Sequence, residues 1–535
     1  MIDTKRRSRE VQYPRFRGIP IRPINGVWKF SPGSDEFPEG ASPDMLNCYV
    51  YEGRLRKRPG YAMFPLAMPS IGGSAVGIYS TQDEENNTHL IVVWQSGVKK
   101  YDFVAQVWNT LTGTLSGGSD QWFTFETSQN NIVFSQGVDK IKKHDISTVN
   151  TVFADLSASA PIARYITRFA DRLYAAYTVE GGVTKPFRIR RPVAGDHTNW
   201  AGAGSGFNDL TEWPYQLRGI RKLGEGMSVF TERSISLATR TGNALAPAAF
   251  STKTEGVGLY AERTLCALPG SSGHIFMGND DIYLWNGVQE KGIALPFRDY
   301  IFNSVTPSSI RANFAIVMSD TQQYLLFAAI NAATVPNMIW VYHYGRNIFY
   351  PWSVEGPTCS TLVRNDDTTT IDDLIGTIDQ QNWEYDSRIL ASAYPSLLTG
   401  HSDGKVYKWG EQHNSDAGVP IRCLWTSRDF ESDDIASDIA PHRITLRSLE
   451  VKYYDAGADF TIDLYYSTNG GGSWEGPYPL LCPTNLVSGG QACSVDSHQV
   501  TGERVRFKFE QTSLTESFQI IEFNVNLELR EPIQT

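Results

Sequence analysis

The sequence lacks most of the patterns that mark an enzyme or a metal protein. Its 9 histidines form no H-E-x-x-H motif and no paired metal spacing. Neither a G-x-S-x-G elbow nor a Walker loop is present. The 6 cysteines show no C-x-x-C spacing, which excludes a zinc framework and a small disulfide scaffold. We therefore expect a structural or binding protein that is not an enzyme and has no cofactor and no metal site.

Long apolar runs are also missing. No stretch of about 18 apolar residues occurs, and the first 18 residues lack the apolar segment of a signal peptide. We expect a soluble protein, made in a reducing cytoplasm and without stable membrane insertion. Cys482 and Cys493 are near enough in sequence to pair across a loop, and their spacing leaves both the free and the paired state open.

Positive charge is scarce outside the beginning of the chain. Residues 1–60 hold 12 Lys and Arg against 7 Asp and Glu, whereas residues 61–535 hold 36 against 51, a net charge of −15. Nucleic-acid binding depends on neutralising phosphates, so the long acidic part is unsuited to holding DNA or RNA. The basic beginning is explained equally by docking onto an acidic partner and by simple solvation.

Amphipathic helical patterns are rare, and strand-like alternation recurs instead. Aromatic residues make up 12% of the chain, with 46 glycines and 27 prolines, which favours many short strands and tight turns. An apolar strand, a polar turn and a second strand recur seven times, the first steps being about 42 residues apart. Most of these hairpins are preceded by another strand, and several are followed by one. The hairpins span residues 89–102, 131–145, 172–189, 227–239, 274–287, 324–345 and 397–410.

Four strands every 40–50 residues are typical of a β-propeller blade. We predict an all-β protein with a propeller of six or seven blades; a run of β-sandwiches is the alternative. Longer alternating strands after about residue 440 predict a C-terminal β-sandwich-like domain. The predicted domains are a basic N-terminal extension and hairpin at 1–62, the propeller at 63–430, and a linker with the sandwich at 431–535.

The largest insertion, residues 364–388, is acidic and poor in strand signal. Long loops in compact domains are often functional, and we expect this loop or other blade loops to form a channel or gate. A cation site is the alternative to a solvated loop, but the loop lacks the Gly and terminal Glu of an EF-hand. The candidate gate residues are Asp366, Asp367, Asp372 and Asp373.

One motif points to a different function. Ser467–Trp474, STNGGGSW, resembles the Asp-box of sialidase propellers, with Asn469 in the Asp place and Ser473 in the Thr place. Turn chemistry explains the motif without catalysis, because Asn and Gly accept left-handed backbone angles. A carbohydrate-active, sialidase-like propeller is nevertheless the alternative function, and it would need an arginine cluster and a Tyr–Glu pair. A scaffold propeller that binds other proteins is a third possibility.

The segment at 38–60 is more specific. It reads PEGASPDMLNCYVYEGRLRKRPG, in which a turn cluster precedes a strand, a Glu-Gly turn, a basic strand and a Pro-Gly stop. It resembles the opening of short-tailed bacteriophage tail nozzle and tail-hub proteins, the tail tubular protein B and phage stabilisation group. The matching residues are Pro38, Ala41, Asn47, Gly53, Leu55, Lys57, Arg58, Pro59 and Gly60.

The resemblance implies a structural protein of the virion tail, assembled in the host cytoplasm. It implies a homo-hexameric ring that joins a tail adaptor ring, carries tail fibre or tailspike proteins, and lines the conduit for the ejected genome. Passing double-stranded DNA would make only transient, non-specific contact with it. An acidic body fits that role, because a basic wall would bind phosphates.

The basic strand is the candidate assembly segment. Strand alternation puts Arg54, Arg56 and Arg58 on one face and Leu55 and Lys57 on the other. We expect the hairpin to lead into the first blade and its basic face to meet an acidic neighbouring subunit. The candidate interface residues are Arg54, Arg56, Lys57, Arg58, Pro59 and Gly60.

Overall fold

The chain folds into two compact units in a computed structural model. One unit combines residues 1–58 with residues 419–535, and the other contains residues 59–418. The chain therefore passes from the first unit to the second after Arg58 and returns after Gly418. The residues that the structure describes are 16–27, 37, 40–65, 70–118, 121–147, 150–212, 214–295, 297–364, 395–436, 441–454, 458–484 and 490–532.

Four short strands precede the propeller and belong to the first unit. Turn residues with positive φ separate β2, β3 and β4: φ is 56° at Asn47, 51° at Glu52 and 75° at Gly53. Consecutive positive φ values at Glu52 and Gly53 make the tight two-residue turn that suits a twisted hairpin. The strands are β1 (Phe16–Ile21), β2 (Met45–Leu46), β3 (Cys48–Tyr51) and β4 (Arg54–Lys57).

The second unit begins with β5 (Gly60–Met63) and continues as a series of four-stranded antiparallel sheets. The second strand of each sheet is an apolar run buried on both faces, as in Thr88–Trp94 and Gln323–Ala328. The first three sheets comprise β6 (Ala75–Gln82), β7 (Thr88–Trp94), β8 (Gly97–Asp102), β9 (Val107–Leu111), β10 (Thr124–Ser128), β11 (Asn131–Ser135), β12 (Lys142–Asp145), β13 (Ala154–Asp155), β14 (Ile162–Phe169), β15 (Arg172–Glu180), β16 (Val183–Arg191) and β17 (Gly206–Asp209).

Three more sheets have the same order of consecutive strands. A helix, α1 (Arg298–Ser304), and two 3-10 turns, Pro269–Ser271 and Pro307–Ala312, lie within this part. The strands are β18 (Leu217–Leu223), β19 (Gly226–Thr231), β20 (Ser234–Arg240), β21 (Ala248–Glu255), β22 (Cys266–Ala267), β23 (His274–Met277), β24 (Ile282–Trp285), β25 (Glu290–Gly292), β26 (Phe314–Met318), β27 (Gln323–Ala328), β28 (Met338–His343) and β29 (Ile348–Ser353).

A composite sheet closes the ring after these six blades. It contains β30 (Pro357–Val363), β31 (Ser396–His401) and β32 (Val406–Gly410), and β5 from the start of the unit pairs antiparallel with β32. The short β33 (Ser415–Asp416) pairs with β5 in parallel. Because its fourth strand comes from the other end of the unit, this sheet ties the first and last strands of the propeller together by backbone hydrogen bonds.

Apolar packing supports the closure. Side chains of β30 to β32, among them Cys359, Leu398 and Val406, share one buried cluster with Ile78 and Leu90 of the first blade. Burying side chains of this kind contributes about 1.5–3 kcal/mol each. The propeller is therefore held closed both by the pairing of β5 with β32 and by an apolar seam between the composite sheet and the first blade.

The first unit is a β-sandwich completed by the N-terminal strands. Strands β3, β4, β40, β35 and β38 form one sheet, with β1 also paired to β40; β34, β39, β36 and β37 form strands of the other, with β2 paired to β34. A 3-10 turn covers Ser432–Asp434. The remaining strands are β34 (Val419–Thr426), β35 (His442–Tyr454), β36 (Phe460–Ser467), β37 (Glu475–Cys482), β38 (Gly490–Gly502), β39 (Arg506–Ser513) and β40 (Gln519–Pro532).

Aromatic rings fill the space between these two sheets. The ring of Trp425 lies 5.1 Å from that of Phe523 in the facing sheet, and Phe509 lies 5.7 Å from the same ring. Aromatic pairs at this spacing add to the free energy gained by burying their area. Alternation along β34, β39 and β40 directs these rings inward, as the sequence pattern of the C-terminal strands predicted.

The structure confirms the predicted all-β propeller with a β-sandwich. Each of the seven predicted hairpins is the central strand pair of one sheet, from β7–β8 to β31–β32. The observed units do not have the predicted boundaries. Most of β5 was predicted to belong to the N-terminal extension and residues 419–430 to the propeller, and the N-terminal extension is part of the sandwich unit rather than a separate domain. The reason is long-range pairing, since β34 begins at Val419 and pairs with β39, and β4 pairs with β40.

Candidate functional site

The innermost strands of the propeller surround a central cavity of about 460 Å³. Residues of the first strand of every sheet, from β6 to β30, line it. Two of these strands, β14 and β18, carry basic side chains close to both of their ends, which is unusual for buried strands. The cavity is the candidate functional site, and its two ends differ in their charge pairing.

An ionic network occupies the end where the inner strands begin. The carboxylate of Glu262, whose side chain is only 2% exposed, pairs with Arg164 Nη2 at 3.0 Å and with Arg218 Nη1 at 2.6 Å. Arg218 also pairs with Glu232, to which Gln216 donates a hydrogen bond of 2.9 Å. Two guanidinium groups are thus balanced by two carboxylates within the protein.

Aromatic rings and a third arginine extend this network into the cavity. The guanidinium of Arg263 lies 5.0 Å from the Phe314 ring and 6.0 Å from Trp122, and its nitrogens donate to the carbonyls of Ala312 and Thr358. Burial lowers the pKa of Arg263 to about 10. The group remains a cation at neutral pH, held by carbonyl dipoles and ring faces rather than by a carboxylate contact.

Tyr165 completes this end of the cavity. Its side chain is buried, and its hydroxyl has no hydrogen-bond partner of good geometry among the described residues. Burial raises the pKa of Tyr165 well above its ordinary value, and the charge of Glu262 acts in the same direction. Both effects favour the protonated phenol.

The opposite end of the propeller opens into a second cavity of about 640 Å³. It adjoins the central cavity, because both are lined by Tyr79, Phe125 and Arg221. The rings of Tyr79 and Phe125 stack at 5.2 Å with an angle of 5° between their planes. Tyr79 shares a hydrogen bond of 3.0 Å with Thr127, which fixes the stacked ring at the rim.

Basic side chains surround the rings at this second cavity. Arg168, Arg221 and Lys222 line it, and all three are exposed. Within the described part of the chain, none of the three forms an ion pair with a carboxylate. Arg240 pairs with Asp171 at 3.3 Å at the rim. Three cations at this end therefore lack an ion pair in the described part of the chain, whereas Arg164 and Arg218 at the other end are paired with carboxylates.

Glu126 is one of the carboxylates that line this cavity. Its Oε2 accepts a hydrogen bond of 3.2 Å from the backbone amide of Arg168. Burial raises the pKa of Glu126, while that amide and the charges of Arg221 and Arg168 act in the opposite direction. A carboxylate that is harder to ionise offsets less of the positive charge around it.

The part of the predicted assembly segment up to Arg58 lies within the sandwich unit. The Nζ atom of Lys57 donates to the carbonyls of Ser513 and Glu516 at 2.8 and 3.0 Å, and the side chain is buried. Arg58 is only 1% exposed and donates through Nε to Asn47 Oδ1 at 2.9 Å. Both side chains find hydrogen-bond partners within their own chain, and the expected contact of this segment with a neighbouring subunit stays a prediction.

The two arginines of β4 are also engaged within the unit. Arg54 donates to Gln519 at 3.1 Å and its guanidinium lies 3.8 Å from the centre of the Tyr454 ring. Arg56 lies over Tyr51 at 4.8 Å and pairs with Glu52 at 3.5 Å. The predicted alternation is present, since Leu55 and Lys57 are buried while the arginines of β4 are half-buried.

Pro59 and Gly60 belong to the propeller unit. Gly60 donates its backbone amide to the carbonyl of His413 at 2.7 Å, and a Cβ atom on Gly60 would lie 2.2 Å from the carbonyl oxygen of Ser415. The hairpin leads into the composite sheet rather than into the first blade, because β5 pairs with β32. The Pro-Gly pair thus marks the crossing between units and the strand that closes the ring.

The Asp-box-like turn is a structural hairpin between β36 and β37. Ser467 Oγ accepts the backbone amide of Gly471 at 2.9 Å, and Asn469 Oδ1 accepts that of Ser473 at 2.9 Å. The Nζ atom of Lys508 lies 4.8 Å from the centre of the Trp474 ring. These contacts account for Ser467, Asn469 and Ser473 as turn chemistry.

The remaining predicted features concern the acidic loop, the cysteines and metals. Asp366, Asp367, Asp372 and Asp373 lie outside the described residues. Cys482 and Cys493 form a disulfide with their Cα atoms 5.7 Å apart. Within the described ranges, no three His, Cys, Asp or Glu side chains are grouped as metal ligands, and no helix there is both long and apolar enough to cross a bilayer.

The central cavity was not predicted from the sequence, although the inner strands carry a pattern that indicates it. Inner strands β14 and β18 carry basic residues near both ends, at Arg164 and Arg168 and at Arg218 and Arg221. Charges recurring inside predicted propeller strands indicate positions that face a water-filled axis rather than a core. Which carboxylate balances each charge depends on neighbouring blades and is not visible in a local pattern.

Comparisons with known proteins provide no family assignment. No family model matches the chain, and no curated protein matches it. Among solved structures, the WD40 domain of Pan2 from Neurospora crassa is similar at 8% sequence identity, with a TM-score of 0.38. The match covers 66% of this chain and 95% of that domain.

Proposed function

We propose that this chain is a structural subunit of a short bacteriophage tail. Six copies would form the nozzle or hub ring that continues the DNA-ejection channel and anchors the adaptor ring and the fibre or tailspike proteins. The protein would be assembled in the host cytoplasm, reside in the tail of the virion and have no enzymatic activity. The observation that carries the proposal is the set of contacts that residues of the motif at 38–60 make in the fold.

Of the matching residues, Pro38 lies outside the described part of the chain, and several of the others have structural roles. Asn47 and Arg58 bond to each other, and the side chain of Asn47 also donates to the carbonyl of Arg422 at 2.7 Å. Leu55 and Lys57 anchor β4 in the sandwich unit. Gly53 makes the tight turn with a φ of 75°. Asn47, Arg58, Pro59 and Gly60 lie where the chain crosses between the units, and this structural use of the motif supports the resemblance to the nozzle and hub family.

The charge of the chain also supports a conduit role. Residues 61–535 carry 51 acidic against 36 basic residues, and a wall of this composition would repel DNA rather than retain it. A propeller closed by both strand pairing and apolar packing provides a rigid module for a ring. A six-membered ring needs head-to-tail interfaces that close, and cyclic symmetry supplies them.

The test is the mass and symmetry of the full chain. Native mass spectrometry and light scattering across a concentration series, with electron-microscopy views along the axis, should show a hexamer of the 59.7 kDa chain with an axial opening. Antibody labelling of phage particles that encode the chain should locate it at the tail. A strictly monomeric protein that is absent from particles would reject the proposal.

A carbohydrate-active propeller remains the second candidate, and one observation favours it. Arg164, Arg218 and Arg263 cluster at one end of the central cavity with Tyr165 and Glu262. Two of these arginines already pair with Glu262, however, so they are poorly available to a substrate carboxylate. We expect a panel of sialylated and capsular glycans to show no turnover. Turnover that is abolished by Glu262→Gln would favour this candidate instead.

A further inference from the structure

We propose that the cavity of about 640 Å³ at the end of the propeller bearing Arg168, Arg221 and Lys222 is a binding site for a small organic polyanion carrying carboxylate or phosphate groups. This inference goes beyond the proposed tail function, and it concerns the propeller unit alone. It rests on the placement of the three cations, on the rings beside them and on the size of the cavity.

The cations come from two neighbouring inner strands. Arg168 lies near the end of β14, and Arg221 and Lys222 lie near the end of β18. Arg168 Nη1 donates to the carbonyl of Thr127 at 3.1 Å, and Arg221 Nη1 donates to that of Leu265 at 3.4 Å. Each guanidinium is oriented by one carbonyl and keeps donors for a ligand, since arginine has five N–H groups.

The nearby carboxylates compensate these charges incompletely. Asp171 is engaged by Arg240, Glu225 is exposed at the rim, and Glu126 accepts a backbone amide. None of the three pairs with Arg168, Arg221 or Lys222 in the described part of the chain. Like charges gathered in one concave site repel each other and raise the local concentration of anions. A bound polyanion would relieve that repulsion.

The chemistry of the lining selects the class of ligand. Guanidinium groups match the planar geometry of carboxylate and phosphate and bind them through two parallel hydrogen bonds. The stacked Tyr79 and Phe125 rings provide an apolar wall on the same cavity. The volume falls in the range of about 300–1,000 Å³ that is usual for small-molecule sites. A small organic anion with two or more acidic groups fits these features.

The experiment uses the full chain and two probes, tripolyphosphate and citrate. Isothermal titration calorimetry at about 50 mM NaCl should detect binding of at least one probe, and binding should weaken strongly with added salt. The two probes separate a phosphate from a carboxylate preference. A wild-type protein that binds neither probe overturns the proposal.

Variants then locate the site. Arg168→Gln combined with Arg221→Gln should weaken binding at least 10-fold, which corresponds to about 1.4 kcal/mol. Lys222→Gln changes an exposed side chain and should weaken binding without affecting folding. The matched control is Arg346→Gln, an exposed arginine in the turn between β28 and β29, which should bind as the wild type does. Equal affinities for wild type, the double variant and Lys222→Gln would contradict the assignment.

Discussion

Asn47 and Arg58 hold each other at the point where the chain leaves the sandwich unit. The backbone amide of Arg58 donates to the carbonyl of Asn47 at 2.9 Å, and its Nε donates to the side-chain oxygen of Asn47 at 2.9 Å. Both residues are only 1% exposed. Burying a polar group costs free energy unless it is hydrogen-bonded, so the bond from the Arg58 guanidinium to Asn47 makes the two residues depend on each other.

We predict that Asn47→Gly destabilises the protein by about 2–3 kcal/mol. The glycine accepts the positive φ of 56°, so the loss comes from the hydrogen bonds of the amide to Arg58 and to the carbonyl of Arg422. Urea denaturation followed by circular dichroism measures the change. Arg54→Gln is the matched control because Arg54 is half-buried, and it should cost less than about 1 kcal/mol. Equal stabilities of the two variants would show that the Asn47 contacts contribute little.

Gly60→Ala should disrupt the closing strand of the propeller. Its Cβ would lie 2.2 Å from the Ser415 carbonyl oxygen and 2.8 Å from that of His413, so backbone must move, at a cost of about 3 kcal/mol or more. Gly53→Ala is the control, since nothing lies within 4 Å of its added Cβ. Left-handed strain alone should then cost about 1–2 kcal/mol. Thermal unfolding that ranks the two variants in the opposite order would contradict this account.

Glu262→Gln should be far more damaging than Glu232→Gln. Glu262 is 2% exposed and neutralises Arg164 and Arg218, whereas the side chain of Glu232 is 37% exposed. Removing the buried charge leaves guanidinium groups without compensation and should cost about 3–5 kcal/mol. The exposed partner should contribute about 1 kcal/mol or less. Chemical denaturation of both variants measures the difference, and similar losses would argue against a buried network.

His401 should make stability depend on pH. Burial lowers its pKa to about 4 from the ordinary value of 6.5. Between these values the ring is neutral in the folded protein and protonated in the unfolded chain, so the unfolded state binds more protons. The free energy of unfolding should therefore fall as the pH drops from about 6.5 to about 4, by up to about 1.4 kcal/mol per unit from this group.

The His401→Gln variant isolates this dependence. Urea unfolding of wild type and variant at several pH values should give a shallower slope for the variant in that window. At pH above about 7 the two curves should run parallel, and their offset there measures the contacts of the ring with Thr399 and Tyr61 rather than its titration. Identical slopes throughout would mean that the ring titrates normally in the folded protein.

The repeat of the propeller was accessible from the sequence because each hairpin is local. Strands such as β7 and β8 lie next to each other in the chain, and their turn and apolar patterns identify both. The pairing of β4 with β40 has no comparable local pattern in the sequence. Leu55 pairs with Ile520, and a strand pattern does not specify a partner so distant in sequence.

The basic run at Arg54–Arg58 shows the same limit for the candidate site. Its alternation was predicted, but the burial of Lys57 depends on carbonyl groups far along the chain, such as that of Ser513, and these are not visible in a local pattern. The charged ends of the central cavity were missed for a related reason. Arg164 and Arg218 come from two different sheets, and Glu262 lies in the segment between β21 and β22, so only the folded propeller brings their charges together.

The closure of the propeller by β5 also sets an order of events during synthesis. Its pairing partner β32 is made roughly 340 residues later, which at about 5–20 residues per second means a delay of roughly 17–70 seconds. Throughout that time the ribosome-bound chain exposes the unsatisfied backbone groups of β5. The blades can form one after another as they emerge, but the ring can close only when nearly the whole propeller has been translated.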